Sequence, residues 1–170
     1  MGNEQAASGI HNLSNRFLSF YMADEQYGID ISSVKEIIAL MKTTPVPKTP
    51  KYFKGVMNLR GIIIPVVDLR AKFGMEETQP DMQTAIIIVT IGGTSIGFVV
   101  DRVEEVLNIT EEQLSEAPQF GTNIDTDFIR SMARVGEEVV MLLDLERLFS
   151  EEELTNFENV QQTKNGGDAG

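Results

Sequence analysis

The chain has no cysteine and only one histidine, His11, among its 170 residues. Without cysteine, neither a disulfide framework nor a thiolate metal site can form, which suits a reducing cytoplasm. His11 lies in a polar N-terminal stretch, residues 1–15, that we expect to be a flexible arm, so this imidazole cannot be held as a general base or a metal ligand. A histidine-dependent catalytic triad is therefore excluded.

Long hydrophobic runs are missing as well. The longest, such as residues 85–91, are far shorter than the ~20 residues that a membrane-spanning helix needs, and the polar N-terminus lacks the apolar segment of a signal peptide. We therefore predict a soluble cytoplasmic protein without direct membrane insertion.

Motifs that bind phosphates or calcium are also absent. No glycine-rich phosphate loop occurs, and Gly92-Gly93 is typical of a hairpin turn. Asp125 and Asp127 lack the glycine and the distal glutamate of a calcium loop. We expect no cofactor, no metal and no small-molecule substrate.

Negative charge is concentrated in the second half of the chain. The net charge is −12, of which residues 1–80 contribute +1 and residues 81–170 contribute −13. An acidic half repels phosphate backbones and anionic lipids, which argues against nucleic acid as a partner. The basic residues of the first half either form a solvated face or meet an acidic protein partner: Lys42, Lys48, Lys51, Lys54, Arg60, Arg70 and Lys72.

The most informative feature that is present is an internal repeat. Residues 66–73 are echoed by residues 142–149, and residues 28–38 are echoed by residues 97–107, in the same order along the chain. Chance similarity of apolar runs explains two ordered echoes less well than duplication does. We therefore predict one module used twice.

The repeat suggests how the chain is divided. After the arm we predict a single domain over residues 16–150, made of two intertwined barrel subdomains at about 16–80 and 81–150, because the polar run 75–83 separates the echoes. Residues 151–170 form an acidic tail that is partly helical or disordered.

Short strands with regular turns dominate the predicted secondary structure, which is typical of small barrels. A short helix is predicted from a capping box at Ser33 and Glu36, running to Met41. Residues 102–109 fit a strand or a helix equally well. Pro65 should place its strand at a sheet edge or a bulge. Four hairpins are predicted, pairing residues 17–22 with 27–31, 52–59 with 62–67, 85–91 with 95–100, and 128–135 with 139–143.

A few charged side chains deserve weighing as functional groups. Asp68 and Asp144 occupy equivalent places in the two echoes, where each can cap the turn that follows it. They would act as an acid and a base only if they met in one cleft. Glu36 can serve the capping box or form an exposed recognition contact. Arg60, in a hairpin turn, suits a carboxylate either within the protein or across an interface, and we predict that Glu36 and Arg60 interact.

These residues together resemble the CheW family of chemotaxis coupling proteins. The likeness rests on Tyr27-Gly28-Ile29-Asp30-Ile31, on residues 53–61 with Asn58-Leu59-Arg60-Gly61, and on residues 64–70. It runs from about residue 16 to 149, including residues 97–101 and Ala117-Pro118. The resemblance implies a mainly β fold of two five-stranded Src-homology-3-like barrels with a few short helices and no catalysis.

The resemblance also implies an adaptor with defined partners. Such an adaptor ties the cytoplasmic tips of transmembrane chemoreceptors to the regulatory domain of a histidine autokinase, in arrays at the membrane. The implied receptor contact falls around Val34, Glu36 and Val106, in the groove between the halves, with Arg60 supporting it. The kinase contact would use the outer face of the first barrel, and a second array contact would involve the other barrel near Phe120.

Two other functions stay open from the residues. One is a carboxylate-based hydrolase that uses Asp68 and Asp144. The other is the excised regulatory domain of a larger histidine kinase, which the surrounding reading frame would distinguish. No receiver domain follows Phe149, which favours the short coupling proteins over longer ones that add such a domain.

Overall fold

The structure, a computed structural model, describes residues 15–116 and 128–167, with side chains through residue 160. The protein is mainly β, as predicted. Within the described residues the strands are β1 (Arg16–Met22), β2 (Glu25–Asp30), β3 (Val34–Ala39), β4 (Phe53–Leu59), β5 (Ile62–Asp68), β6 (Ala85–Ile91), β7 (Thr94–Val100), β8 (Arg102–Asn108), β9 (Leu114–Glu116), β10 (Ile129–Val135) and β11 (Glu138–Leu143). The helices are α1 (Leu69–Lys72), α2 (Leu145–Leu148) and α3 (Glu151–Gly167).

The strands form two sheets, each belonging to its own compact unit. One sheet has six strands in the order β8-β1-β2-β11-β10-β9, and the other has five in the order β3-β6-β7-β5-β4. The six-stranded unit comprises residues 1–34 and 103–148, and the five-stranded unit comprises residues 35–102 and 149–170. The expected pair of barrels is confirmed, and the short β9 gives one of them a sixth strand.

Each sheet is closed by the chain that leaves one of its edge strands. After β3, Thr44 bridges Val56 of β4 through two backbone hydrogen bonds of 2.8 and 2.9 Å. Gly55 makes this approach possible, because a Cβ there would lie 2.1 Å from the Thr44 carbonyl oxygen. In the six-stranded unit, the chain after β8 turns and pairs as β9 with β10. Both former edges therefore have partners, which gives barrel closure.

The boundary expected near residue 80 does not separate the two units. The five-stranded unit combines β3, β4 and β5 of the first repeat with the β6–β7 hairpin of the second. The six-stranded unit combines the β1–β2 hairpin with the remaining strands of the second repeat. The expected boundaries are therefore wrong, because each repeat contributes its first hairpin to the other repeat's barrel.

Parallel strand pairs produce this exchange, and they preserve the repeat residue by residue. Val66 of β5 pairs with Gly97 of β7, and Leu142 of β11 pairs with Gly28 of β2. Both pairings join equivalent members of the two echoes. Glycine fits both places because a Cβ at Gly97 would lie 2.9 Å from a methyl group of Ile86, and one at Gly28 would lie 3.0 Å from Leu142. The duplication predicted from sequence therefore corresponds to a parallel strand pair that recurs at equivalent residues in the two units.

Two local predictions are wrong. Residues 34–39 form strand β3 rather than a helix, and Asp30, not Ser33, caps the preceding 3-10 turn by accepting a hydrogen bond from the Ser32 amide. Pairing with β6 and the strand preference of β-branched residues outweigh the helical spacing.

Pro65 lies in β5, which is flanked by β7 and β4 rather than at an edge. Since pairing with β7 begins at Val66, the missing Pro65 amide interrupts no pair on that side.

The tail after Ser150 is a helix that packs on the five-stranded barrel. Ser150 and Glu153 form its capping box, and Phe157 is 5% exposed. Phe157 stacks on Phe53 at 5.7 Å between ring centroids and meets the edge of Phe149 at 5.2 Å. Aromatic burial holds α3 in place together with Glu153, which accepts a hydrogen bond from the Tyr52 hydroxyl and pairs with Lys72 at 3.5 Å.

Candidate functional site

The predicted recognition pair forms in the five-stranded unit. Arg60 Nη2 donates a hydrogen bond to Glu36 Oε1, which confirms the expected interaction. The Arg60 side chain is 67% exposed and that of Glu36 is 36% exposed, so solvent and partners both reach the pair. Glu36 lies on the same face of β3 as Ile38, which packs against the barrel core. An anchored carboxylate thus orients a guanidinium that points to the surface.

Arg60 lies in a two-residue hairpin turn between β4 and β5. Leu59 pairs with Ile62, so only Arg60 and Gly61 connect β4 to β5. Both have positive φ, 53° and 86°, and the Asn58 side chain accepts a hydrogen bond from the Gly61 amide at 2.8 Å. Such turns favour Asn-Gly, and a non-glycine residue in the left-handed region is strained. A large cation at this position is therefore better explained by its contacts than by the turn.

Exposed apolar side chains accompany the charged pair in this unit. Ile37 on β3 is 44% exposed and Ile62, at the start of β5, is 46% exposed. Leu40 and Met41 continue the exposed apolar surface after β3 ends. Ile37 faces away from Glu36 on β3, so these side chains share the unit with the ion pair and not one strand face. Large exposed hydrophobic residues are typical of a protein-binding surface.

Of the other predicted receptor residues, Val34 begins β3 at the boundary between the units, and Val106 lies in the six-stranded unit. Val34 is half-buried and its amide closes the 3-10 turn that precedes β3. Val106 is 40% exposed on β8, which is an edge strand of the sheet order. The structure thus brings Glu36 and Arg60 together, with Val34 on the same strand as Glu36, whereas Val106 lies in the other compact unit. Phe120 lies outside the described residues.

The two aspartates that suggested a hydrolase have structural roles. Asp68 accepts a hydrogen bond from the Arg70 amide at 3.0 Å, and Asp144 accepts one from the Glu146 amide at 3.1 Å. Each caps a one-turn helix, as predicted, and the two residues belong to different units. Within residues 15–116 and 128–160, no group of three or more potential metal-ligating side chains is found.

Sequence reasoning missed a second ion pair, between Arg70 and Asp101. Arg70 Nε lies 2.8 Å and Arg70 Nη2 2.5 Å from the two carboxylate oxygens of Asp101, and Nη1 donates to the Glu76 carbonyl oxygen at 3.0 Å. Hydrogen bonding to Asp101 raises the pKa of Arg70. Because the Arg70 side chain is only 14% exposed, this pair fixes α1 against the end of β7 rather than reaching a partner. Both residues stand in the motifs of the resemblance, but their partnership depends on the fold.

Comparison with known proteins identifies the family. The family model of the CheW-like domain matches residues 16–153. The chain belongs to the CheW family. The chemotaxis protein CheW of Klebsiella aerogenes is 38% identical over 151 residues, which cover 89% of this chain and 91% of that protein. CheW of Thermotoga maritima is 34% identical over 137 residues, covering 79% and 87%.

A solved structure agrees with this assignment. The scaffolding protein CheW of Thermoanaerobacter tengcongensis superposes with a TM-score of 0.74 and 36% sequence identity, covering 81% of this chain and 93% of that one. As a member of the CheW family, the protein is a non-catalytic chemotaxis scaffold, which removes the hydrolase hypothesis. Among the helices in the described part of the chain, none has the length and apolar character required to cross a bilayer.

Proposed function

We propose that this protein couples the cytoplasmic tips of transmembrane chemoreceptors to the regulatory domain of the chemotaxis histidine autokinase. It would do so in the cytoplasm, as part of arrays associated with the membrane. The observation that carries the proposal is the exposed Glu36–Arg60 pair, in a unit that also exposes large apolar residues, on a family scaffold that has no catalytic role. A scaffold of this kind acts by holding partners and shifting their populations.

The receptor contact would use Val34, Glu36, Arg60 and Val106. Arg60 offers a directed guanidinium, which binds carboxylates through parallel hydrogen bonds. The valines, with the exposed Ile37, would contact the apolar face of a receptor helix. We further propose that the kinase domain binds the outer face of the five-stranded barrel, and that a second array contact involves Phe120.

Charge reversal at Glu36 tests the receptor contact. Glu36→Arg removes the partner of Arg60 and places two cations together, so affinity for a receptor tip fragment should fall about tenfold or more. The free energy of unfolding should change by less than ~1 kcal/mol, because an exposed ion pair contributes little stability. Calorimetric titration with the receptor fragment and urea unfolding measure the two quantities.

A matched control separates this site from general electrostatics. Glu112 is exposed in the 3-10 turn after β8 and is not one of the proposed contact residues. Glu112→Arg makes the same charge change and should leave receptor affinity unchanged. Equal loss in both variants, or full binding by Glu36→Arg, would contradict the assigned receptor contact.

A further inference from the structure

A buried serine holds the backbone of the strand that carries Val106. Ser19, on β1, is 0% exposed and lies in the six-stranded unit. Its hydroxyl donates a hydrogen bond to the Glu105 carbonyl oxygen at 2.7 Å and accepts one from the Glu105 amide at 3.2 Å. One side chain therefore binds both backbone groups of a residue that lies 86 positions away in sequence.

The hydroxyl group is what this arrangement requires of Ser19. The residue stands in an apolar stretch of β1, where Leu18 and Phe20 are also buried. A serine hydroxyl can donate one hydrogen bond and accept others, so it can serve a carbonyl and an amide group together. A hydroxyl is costly to bury unless it is bonded. Bonding to β8 therefore explains a polar residue at this position better than core packing does.

The backbone of β8 is held on both sides of Val106. Glu105 precedes Val106 and is bound by the serine hydroxyl, whereas Leu107 follows it and packs against a buried core cluster. Just beyond β8, the Ile109 amide donates a hydrogen bond to the Asn15 carbonyl oxygen at 2.8 Å. Because β8 is an edge of its sheet, these contacts replace a second neighbouring strand.

Val106 is thereby presented from a segment that is already ordered. Its side chain is 40% exposed on β8, and a β-branched side chain has few rotamers to lose on binding. A partner that binds an ordered segment pays less conformational entropy than one that must order a mobile segment. Removal of the Ser19 hydroxyl should therefore weaken a contact made by Val106, although the buried Ser19 itself touches no partner.

We propose that Ser19 is a positioning residue for the receptor contact and that it acts through Glu105 on Val106. This inference rests on the proposed function, in which Val106 contacts a receptor helix. Ser19→Ala frees both backbone groups of Glu105, so the segment around Val106 must be ordered when the receptor binds. Affinity for a receptor tip fragment should fall about three- to tenfold.

A double-mutant cycle separates positioning from a general loss of stability. Calorimetric titration gives the affinity of the receptor tip fragment for the parent chain, Ser19→Ala, Val106→Ala and the double variant. In the Val106→Ala background no valine remains to be positioned, so Ser19→Ala should then reduce affinity by less than about twofold. Equal losses in the two backgrounds, or full binding by Ser19→Ala, would overturn the inference. Absence of binding by the parent chain would instead overturn the proposed function, and the inference with it.

Amide exchange and a matched variant complete the test. In Ser19→Ala the Glu105 amide should exchange about tenfold faster, while the amides of β2 exchange as in the parent. Unchanged exchange at Glu105 would show that the hydroxyl does not hold β8. Ser131→Ala removes a hydroxyl from a half-buried serine on β10 of the same unit and should change neither quantity. An equal loss of affinity in Ser131→Ala would also overturn the inference.

Discussion

At the scale of single residues, Arg60 has an uncommon backbone conformation and Tyr27 an uncommon environment for its phenol. Arg60 has a φ of 53° in a turn that favours Asn or Gly. Tyr27 is 6% exposed and stacks on Phe20 at 5.9 Å between ring centroids, and this burial raises the pKa of its phenol to about 12. The receptor contact proposed above would explain the first departure, and packing explains the second.

Arg60→Asn should separate recognition from stability. Asparagine tolerates the left-handed conformation, so the free energy of unfolding should stay constant or rise by up to about 1 kcal/mol. Affinity for the receptor fragment should fall, because asparagine cannot supply the guanidinium. Urea unfolding and calorimetric titration report the two effects, and a variant that binds normally would show that Arg60 serves the fold alone.

The raised pKa of the Tyr27 phenol should make the protein less stable at high pH. The pKa of the phenol is about 12 in the folded state and about 10 in the unfolded state. Between these values the unfolded chain loses a proton that the folded chain keeps, so stability is complete below pH 10 and falls as pH rises towards 12. Across this pH interval, the free energy of unfolding of Tyr27→Phe should fall by about 1 to 2 kcal/mol less than that of the parent. Equal loss in both proteins would contradict the assignment.

At the scale of elements, turns and caps could be predicted from sequence, whereas pairing choices could not. The Asp68 and Asp144 caps depend on neighbours in sequence, and both form, whereas the capping box predicted at Ser33 and Glu36 does not. Strand β3 was mistaken for a helix because its apolar spacing satisfies both structures. Its conformation is decided by β6, far along the chain. The Arg70–Asp101 pair was missed for the same reason.

Closure of the five-stranded barrel should depend on Gly55. A Cβ at this position would lie 2.1 Å from the backbone oxygen of Thr44, and the φ of +130° disfavours other residues. Gly55→Ala should therefore reduce the free energy of unfolding by about 3 kcal/mol or more. Gly136→Ala is the control, because φ is +64° there but no atom lies within 4 Å. Gly136→Ala should reduce the free energy of unfolding by only ~1 kcal/mol. An equal loss in the two variants would argue against a steric requirement for glycine at residue 55.

At the scale of the whole molecule, the two sequence repeats and the two compact units have different boundaries. The chain passes between units after residues 34, 102 and 148, and the first two crossings lie within one residue of equivalent places in the two echoes. The echoes predicted the duplication and the barrels. They could not predict which barrel receives each first hairpin, because the parallel β5–β7 and β2–β11 pairs join strands from different repeats.

Fragments cut at the repeat boundary should therefore fail to fold separately. Residues 1–80 lack β6 and β7 of one barrel, and residues 81–170 lack β1 and β2 of the other. Each fragment alone should show poorly dispersed amide signals in NMR spectra, and mixing the two should restore the dispersion of the intact chain. A well-dispersed spectrum from either isolated fragment would show that the exchanged hairpin is dispensable.

The central claim is that one scaffold holds a receptor and a kinase on separate surfaces. Sedimentation of the full chain with a receptor tip fragment and the kinase regulatory domain tests it most directly. We predict a ternary complex, from which Glu36→Arg releases the receptor fragment while the kinase domain stays bound. Competition between the two partners for the chain, or loss of both in Glu36→Arg, would contradict the account.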